Sequence, residues 1–110
     1  MEFTMSSFGS AIASARKAKG MSQKDLALKV IKEDGQAITP QYLNDIEHDR
    51  RSPSSDHIIQ QFARVLGIKN VGALYGLSGV LPQDTQKLVH KATPEEVHNA
   101  FVAFRKQLKG

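Results

Sequence analysis

Four polar side chains between residues 41 and 48 recur at the spacing of a single helical face. Gln41, Asn44, Asp45 and His48 stand at positions i, i+3, i+4 and i+7. Their amide, carboxylate and imidazole groups can hydrogen-bond the base edges that line the major groove of DNA. Considered alone, such a row is more often an ordinary solvated helix face. The elements around it must decide between these two interpretations.

Residue types that support catalysis or metal binding are absent or scattered. The chain has no cysteine, which excludes a disulfide, a thiolate metal site and a cysteine nucleophile. No two of its four histidines have the i, i+4 spacing, with a nearby carboxylate, of a zinc-binding helix. The segment Gly76-Leu77-Ser78-Gly79 lacks the lysine and the following Ser or Thr of a phosphate-binding loop. We therefore expect no enzyme, no metal and no cofactor.

The polar row lies on the second of two short helices that the sequence predicts between residues 22 and 48. Ser22 followed by Asp25 is close to a capping box at the start of the first helix. Thr39 followed by Pro40 is a favoured start for the second. Each helix also has an apolar side that would pack against the other: Leu26, Ala27, Leu43 and Ile46. Two helices arranged in this way form a helix-turn-helix.

The rest of the chain is also predicted to be helical, so the predicted fold class is all-α. No stretch alternates between apolar and polar residues, and aromatic residues make up only 6%. Helices are predicted from Ser6 to Lys19, from Ser54 or Ser55 to Gly67, and around Val71–Tyr75. The segment 76–82, rich in glycine, separates a first domain (residues 1–76) from residues 77–110, where two further helices are predicted, one of them starting at Thr93-Pro94.

The last predicted helix carries an apolar stripe, formed by Val97, Phe101, Phe104 and Leu108 at positions i, i+4, i+7 and i+11. This face is too apolar for a solvated tail. It would either pack on the first domain or form the seam of a dimer, and the sequence leaves both possibilities open.

Length and composition describe one modest domain. The 110 residues are 40% hydrophobic and 24% charged, which fits neither a disordered tail nor a membrane protein. No apolar stretch reaches the roughly 18 residues needed to span a bilayer. The first residues have no basic region before an apolar run, so we expect no secretory signal and a cytoplasmic location. The net charge of +4 weakly favours a polyanionic partner.

Several segments match a known pattern in order and spacing over about sixty residues. They are Phe8-Gly9-Ser10-Ala11-Ile12 with Arg16, Lys19-Gly20-Met21-Ser22-Gln23, Asp25-Leu26-Ala27, Tyr42-Leu43-Asn44-Asp45-Ile46-Glu47, Arg50-Arg51-Ser52-Pro53-Ser54 and Phe62-Ala63-Arg64-Val65-Leu66-Gly67-Ile68. Together, residues 8–67 resemble the lambda-repressor-like, Cro-type (XRE) helix-turn-helix family. The resemblance implies a five-helix DNA-binding domain followed by a short C-terminal helical extension.

The resemblance also implies a role for each matching position. The helix at 39–48 would enter the major groove and contact bases through Pro40, Gln41, Asn44, Asp45 and His48. Phosphate contacts would come from Ser22, Gln23, Lys24, Thr39, Tyr42, Arg50, Arg51, Ser52 and Ser54. Arg16 and Glu47 would form a partly buried ion pair that joins the first helix to the third.

Two features depart from the family pattern. The turn between the second and third helices usually has about four residues, but the segment Ile31–Ile38 is longer and would either lengthen the second helix or form a small wing. Asp45 stands where the family more often has Gln, Lys or Arg. Its carboxylate can accept a hydrogen bond from the N4 amine of cytosine, but it also repels phosphates.

The function that follows is sequence-specific binding of double-stranded DNA by a homodimer that acts as a transcriptional regulator, more plausibly a repressor than an activator. The apolar stripe would be its dimer face. Two alternatives remain. In the first, the chain is an antitoxin whose C-terminal extension binds a toxin. In the second, it is a protein-interaction module on a helix-turn-helix scaffold, which is suggested by the acidic residues in and just after the third helix: Asp45, Glu47 and Asp49.

Overall fold

The computed structural model describes residues 7–109 and shows the predicted all-α class. Seven helices make up the regular secondary structure of this range, together with one isolated antiparallel bridge between Ile31 and Ala37. The helices are α1 (Phe8–Ala18), α2 (Gln23–Lys29), α3 (Pro40–Glu47), α4 (Asp56–Leu66), α5 (Val71–Ser78), α6 (Gln83–Lys91) and α7 (Pro94–Gln107). Four helices therefore precede the glycine-rich segment, α5 runs into it, and two helices follow it.

The helices begin at side chains that cap them. The Ser22 hydroxyl accepts a hydrogen bond from the Asp25 backbone N–H, and the Asp25 carboxylate accepts one from the Ser22 N–H. Thr39 caps α3 in the same way through the N–H of Tyr42. The predicted start of the first helix at Ser6 lies outside the described residues. Ser7 is extended (φ −159°) and caps α1, so that helix begins at Phe8.

The core lies among α1 to α5. Its largest fully buried side chains are Phe62, Ile12, Leu26, Leu43, Ile46, Ile58, Ile59, Leu66, Leu74 and Val30. The rings of Phe8 and Phe62 meet edge to face with centroids 6.1 Å apart, which joins α1 to α4. Leu43 and Ile46 of α3 are fully buried in this core. The orientation of α3 is therefore set by packing on its inner side.

Gly9 lets α1 approach the end of α3 closely. A Cβ atom added at Gly9 would lie 2.3 Å from the Ile46 carbonyl oxygen and 2.7 Å from that of Glu47. The Gly9 N–H also donates to the carboxylate of Asp49, which has a left-handed backbone (φ 57°) just after α3. The absence of a side chain at residue 9 therefore fixes where α3 ends against α1.

The long turn between α2 and α3 forms a small wing, residues 31–37. Helix α2 ends at Lys29 and is not lengthened. The Lys32 N–H donates to the Gln36 carbonyl, and the Ile38 N–H donates to the Val30 carbonyl, which brings the two ends of the wing together. Of the two possibilities that the sequence left open, the structure has the wing.

The wing is held by side chains of α4. The buried Gln61 accepts a hydrogen bond from the Ile31 N–H at 3.0 Å, and His57 donates from Nε2 to the Ile31 carbonyl at 2.8 Å. Both backbone groups of Ile31 are therefore satisfied by residues that lie 26 and 30 positions further along the chain.

The chain divides into two compact units between Val80 and Leu81. The C-terminal unit, described here for residues 81–109, contains α6 and α7, and neither helix has a buried residue. The predicted boundary after residue 76 falls within α5, which continues to Ser78. A separate role for residues 77–110 stays a prediction. None of the described helices is both long and apolar enough to cross a membrane.

Candidate nucleic-acid interface

Helix α3 has one buried face and one polar face. Leu43 and Ile46 are fully buried, whereas Gln41 and His48 are exposed and Asn44 and Asp45 are partly exposed. The structure therefore places all four residues of the polar row at the surface. Pro40 stands beside them at the first position of the helix. The face is eight residues long at most, which suits contact with a few base pairs.

A buried ion pair braces α3 from behind. Arg16 donates from Nε to Oε2 of Glu47 at 2.7 Å and from Nη2 to Oε1 at 2.9 Å, and it also donates from Nη1 to the Met21 carbonyl. Donation of these hydrogen bonds to the Glu47 carboxylate raises the pKa of the Arg16 guanidinium. This two-pronged pair joins α1 to α3, as the family resemblance implies, and keeps both charges out of water.

Gln23, at the start of α2, bonds two residues of α3. Its Nε2 donates to Oε1 of Glu47 at 3.0 Å and to Oδ1 of Asn44 at 3.2 Å. The ion pair and the polar row are thus connected through one amide. Sequence reasoning missed these bonds, because they depend on side-chain rotamers that no spacing rule reports.

Asp45, the acidic residue on the polar face of α3, has hydrogen-bond partners within the chain that offset part of its charge. Asp45 accepts hydrogen bonds from Gln41 Nε2 at 3.1 Å and from Arg50 Nε at 3.4 Å. Arg50 is a positive partner of this carboxylate and offsets part of its negative charge at the surface. The side chain of Arg50 remains 57% exposed and can still face solvent or a ligand.

The loop after α3 is arranged around Tyr42. The guanidinium of Arg51 lies 5.3 Å from the centre of the Tyr42 ring, and the Tyr42 hydroxyl accepts the Ser54 N–H at 3.2 Å. These contacts hold Arg51 next to the outer edge of α3. The other residues predicted to contact phosphates are exposed at the starts of α2 and α3 or in this loop: Ser22, Lys24, Thr39, Ser52 and Ser54.

A polar groove of about 500 Å³ opens on the other side of α3, between His48 and α1. Its α1 wall includes Ser14 and Lys17, which are exposed and which the sequence predictions did not include in the interface. Together with Ser10 they stand at positions i, i+4 and i+7, a spacing that would have revealed a polar face of α1. The groove adjoins the candidate interface on the α1 side of α3.

The predicted dimer face lies on α7 and is solvent-accessible. Phe101, Phe104 and Leu108 are 49%, 55% and 66% exposed, and Val97 is partly exposed. Leu88 of α6 is 68% exposed. In residues 7–109, no group of three His, Asp or Glu side chains is placed to hold a metal ion.

A protein-family model described as Helix-turn-helix matches residues 12–70, more than half of the chain. A protein of Yarrowia lipolytica named as a multi-protein-binding factor 1 is 39% identical over 71 residues. That match covers 64% of this chain but only 42% of the relative's length.

Among solved structures, one entitled SinR protein/SinI protein complex contains a chain with a similar fold. The TM-score is 0.51 at 24% sequence identity, and the similarity covers 93% of this chain and 97% of the other. At this identity the likeness concerns the arrangement of the helices.

Proposed function

We propose that this chain, which belongs to the helix-turn-helix family, is a DNA-binding transcriptional regulator that recognises a specific duplex sequence through α3. The observation that carries the proposal is the two-faced character of α3. Its inner residues are fully buried and its outer face carries Gln41, Asn44, Asp45 and His48. A helix held this firmly can place polar groups against base edges with little loss of entropy.

The positive groups that flank α3 would contact the DNA backbone. Arg50 and Arg51 follow the helix, and Lys24 lies near the start of α2. Phosphate contacts of this kind orient a protein on the duplex and supply binding energy that does not depend on sequence. The cation–π contact of Arg51 with Tyr42 limits the motion of one such group before DNA arrives.

A homodimer would give this small interface useful affinity. Two α3 helices about one turn of DNA apart (roughly 34 Å) can contact two half-sites of an inverted repeat. The exposed stripe on α7 is the proposed seam. Acidic Glu95 and Glu96 begin α7 and basic Arg105 and Lys106 end it, so antiparallel pairing of two copies would bring opposite charges together. Bound over a promoter, such a dimer would act as a repressor.

The proposal is tested by selecting ligands from random duplex DNA at moderate salt and sequencing them over several rounds. We expect enrichment of an inverted repeat, whose spacing would also report the symmetry of the dimer. Recovery of DNA without enrichment would contradict specific binding. Failure to recover any DNA would contradict DNA binding altogether.

Substitutions on α3 and in the next loop separate the two kinds of contact. Gln41→Ala should weaken binding of the selected sequence by about 1–3 kcal/mol, with little effect on unrelated DNA. Arg51→Ala should instead weaken all sequences and lower the slope of log K against log salt by about one. Arg64→Ala, which removes an exposed arginine from α4, is the matched control and should change neither.

A second candidate function, binding of another protein, is favoured by the exposed apolar stripe. The Yarrowia relative carries the name of a multi-protein-binding factor, and a stripe of this kind is a common partner surface. The partner protein would be a toxin if this chain is an antitoxin. If the stripe binds such a partner and not a second copy of this chain, the purified chain should remain monomeric in solution. A dimer measured by sedimentation equilibrium would favour the first candidate.

A further inference from the structure

A set of hydrogen bonds behind α3 connects a buried charge to the candidate DNA-contacting surface. Glu47 accepts from Arg16 and from Gln23, and Asn44 accepts from Gln23. A carboxylate can only accept hydrogen bonds, so the Gln23 side chain must turn its Nε2 toward Glu47. The orientation of this amide is therefore set by the chemistry of its neighbour.

The orientation of Gln23 in turn sets that of Asn44. The two hydrogens of Gln23 Nε2 are shared between Glu47 and Asn44, which turns Oδ1 of Asn44 toward the protein. The Nδ2 group of Asn44 then points away from Gln23, and it has no hydrogen-bond partner within residues 7–109. The half-exposed Asn44 thus offers hydrogen-bond donors to a ligand.

We infer that Gln23 is a positioning residue that turns the Nδ2 donors of Asn44 toward the major groove. Asn44 then recognises a base edge that offers hydrogen-bond acceptors, and among the four bases it prefers guanine. Guanine offers two acceptors, N7 and O6. The usual two-bond contact of asparagine with adenine needs Oδ1 to accept from the N6 amine, and in this chain Oδ1 faces Gln23. The inference rests on the proposed function, because it supposes that α3 enters the groove.

The same geometry reassigns Gln23 itself. Phosphate oxygens accept hydrogen bonds and cannot donate them, so a side chain must offer a donor to bind them. Both donors of the Gln23 side chain are used inside the protein, and only its Oε1 remains. In place of the phosphate contact that the family resemblance implies for this side chain, we assign it the role of orienting Asn44.

The test compares base preferences of variants at a single position of the selected sequence. Selection with Asn44→Ala first identifies that position, because it is the position at which this variant loses the base preference of the wild-type protein. The wild-type protein should favour guanine over adenine there by roughly tenfold, as one good side-chain contact allows. Gln23→Met keeps the length of the side chain but removes both donors, so Asn44 is free to turn and the preference should fall to about threefold or less.

Two further variants exclude simpler explanations. Asn44→Asp offers only acceptors, and it should move the preference toward cytosine or adenine, whose amines donate. Gln107→Met, at the end of α7, is the matched control and should leave the preference intact. Thermal unfolding of each variant verifies that it is folded, so that lost discrimination is not mistaken for lost structure.

Each outcome has a definite meaning. An adenine at the Asn44 position of the wild-type site, or an unchanged preference in folded Gln23→Met, would overturn the inference and leave DNA binding intact. A uniform loss of affinity in Gln23→Met, with a salt slope lower by about one, would return Gln23 to a phosphate role. Absence of any enriched sequence for the wild-type protein would overturn the proposed function together with the inference.

Discussion

The two units of this chain use similar local signals but bury very different amounts of apolar surface. A capping box starts α2 (Ser22 and Asp25) and another starts α7 (Thr93 and Glu96). The N-terminal unit packs its apolar side chains into a core with ten large, fully buried residues. The C-terminal unit has no buried residue in either helix, although it carries two phenylalanines on one face.

A capping box that starts a helix therefore does not imply that the helix is packed into a core. Helix α7 has 14 residues, a length at which isolated helices are marginal in water. We therefore expect α7 to gain stability from any surface that covers its stripe, whereas α3 already packs on the core of α1 to α5. The surface proposed to contact DNA belongs to the unit with a buried core, and the surface proposed to associate belongs to the unit whose two helices have no buried residue.

Truncation of one phenylalanine in each unit tests this contrast most strongly. Phe62→Ala leaves a cavity in a fully buried site and should lower the free energy of unfolding by about 3–5 kcal/mol. Phe104→Ala, at a half-exposed site, should lower it by less than about 1 kcal/mol in the monomer. Urea unfolding at low protein concentration measures both. Equal losses would mean that α7 is already covered within one chain, and the contrast would be wrong.

Two glycines extend the comparison within the N-terminal unit. Gly9→Ala pushes a methyl group into the carbonyl oxygens of α3, and we expect it to cost about 1–3 kcal/mol of stability. Gly76→Ala in α5 meets nothing within 4 Å, and its higher helix propensity should make it neutral or stabilising by up to about 1 kcal/mol. Thermal unfolding of the pair measures the difference. A tolerated Gly9→Ala would show that α1 and α3 can move apart.

A charge in the apolar stripe distinguishes a dimer seam from a core. Phe101→Asp should leave the N-terminal unit folded and convert a dimer into a monomer, because a carboxylate cannot be buried against a second stripe at low cost. Circular dichroism and light scattering after size exclusion measure the two properties. Loss of the fold instead would show that the stripe packs inside one chain.

The smallest expected effect is a loss of capping in acid. Hydrogen bonds from the backbone and hydroxyl of Thr93 lower the pKa of Glu96, and those of Ser22 lower the pKa of Asp25. A carboxyl group whose pKa is lower in the folded chain than in the unfolded chain stabilises the fold at any pH above its unfolded pKa. This contribution is lost as the pH falls through the folded pKa.

Acid should therefore weaken both capping boxes, but with different consequences. Helix α7 has no core to retain it, so we expect it to fray first, while α2 stays folded because Leu26 and Ala27 are buried. Backbone chemical shifts followed by NMR from neutral pH down to the acidic range measure this. Simultaneous loss of both helices would contradict the independence of the two units.

Much of the fold was predictable from the sequence because its signals are local. Thr39 before Pro40, and Ser22 three residues before Asp25, determine where α3 and α2 begin without reference to the rest of the chain. The wing was ambiguous for the opposite reason. Its form depends on His57 and Gln61, which are distant in sequence and bond Ile31 only after α4 has packed.

The candidate site was predictable in outline only. Helical spacing placed Gln41, Asn44 and His48 on one face, and the structure agrees that they share the surface. The direction of the hydrogen bonds from Gln23 was beyond sequence reasoning, because it follows from the buried position of Glu47 and from side-chain rotamers. Helical periodicity identifies which residues share a face, but which of their atoms donate and accept hydrogen bonds depends on the three-dimensional packing.

The anchoring of the wing has a consequence for how this chain can be altered. Both backbone groups of Ile31 are tied to α4, and the wing is closed at its base by the bond from Ile38 to Val30. The exposed tip, residues 32–36, therefore lies beyond the anchor. We therefore expect this tip to accept extra residues, an epitope or a fluorescent label without a change in the angle between α2 and α3.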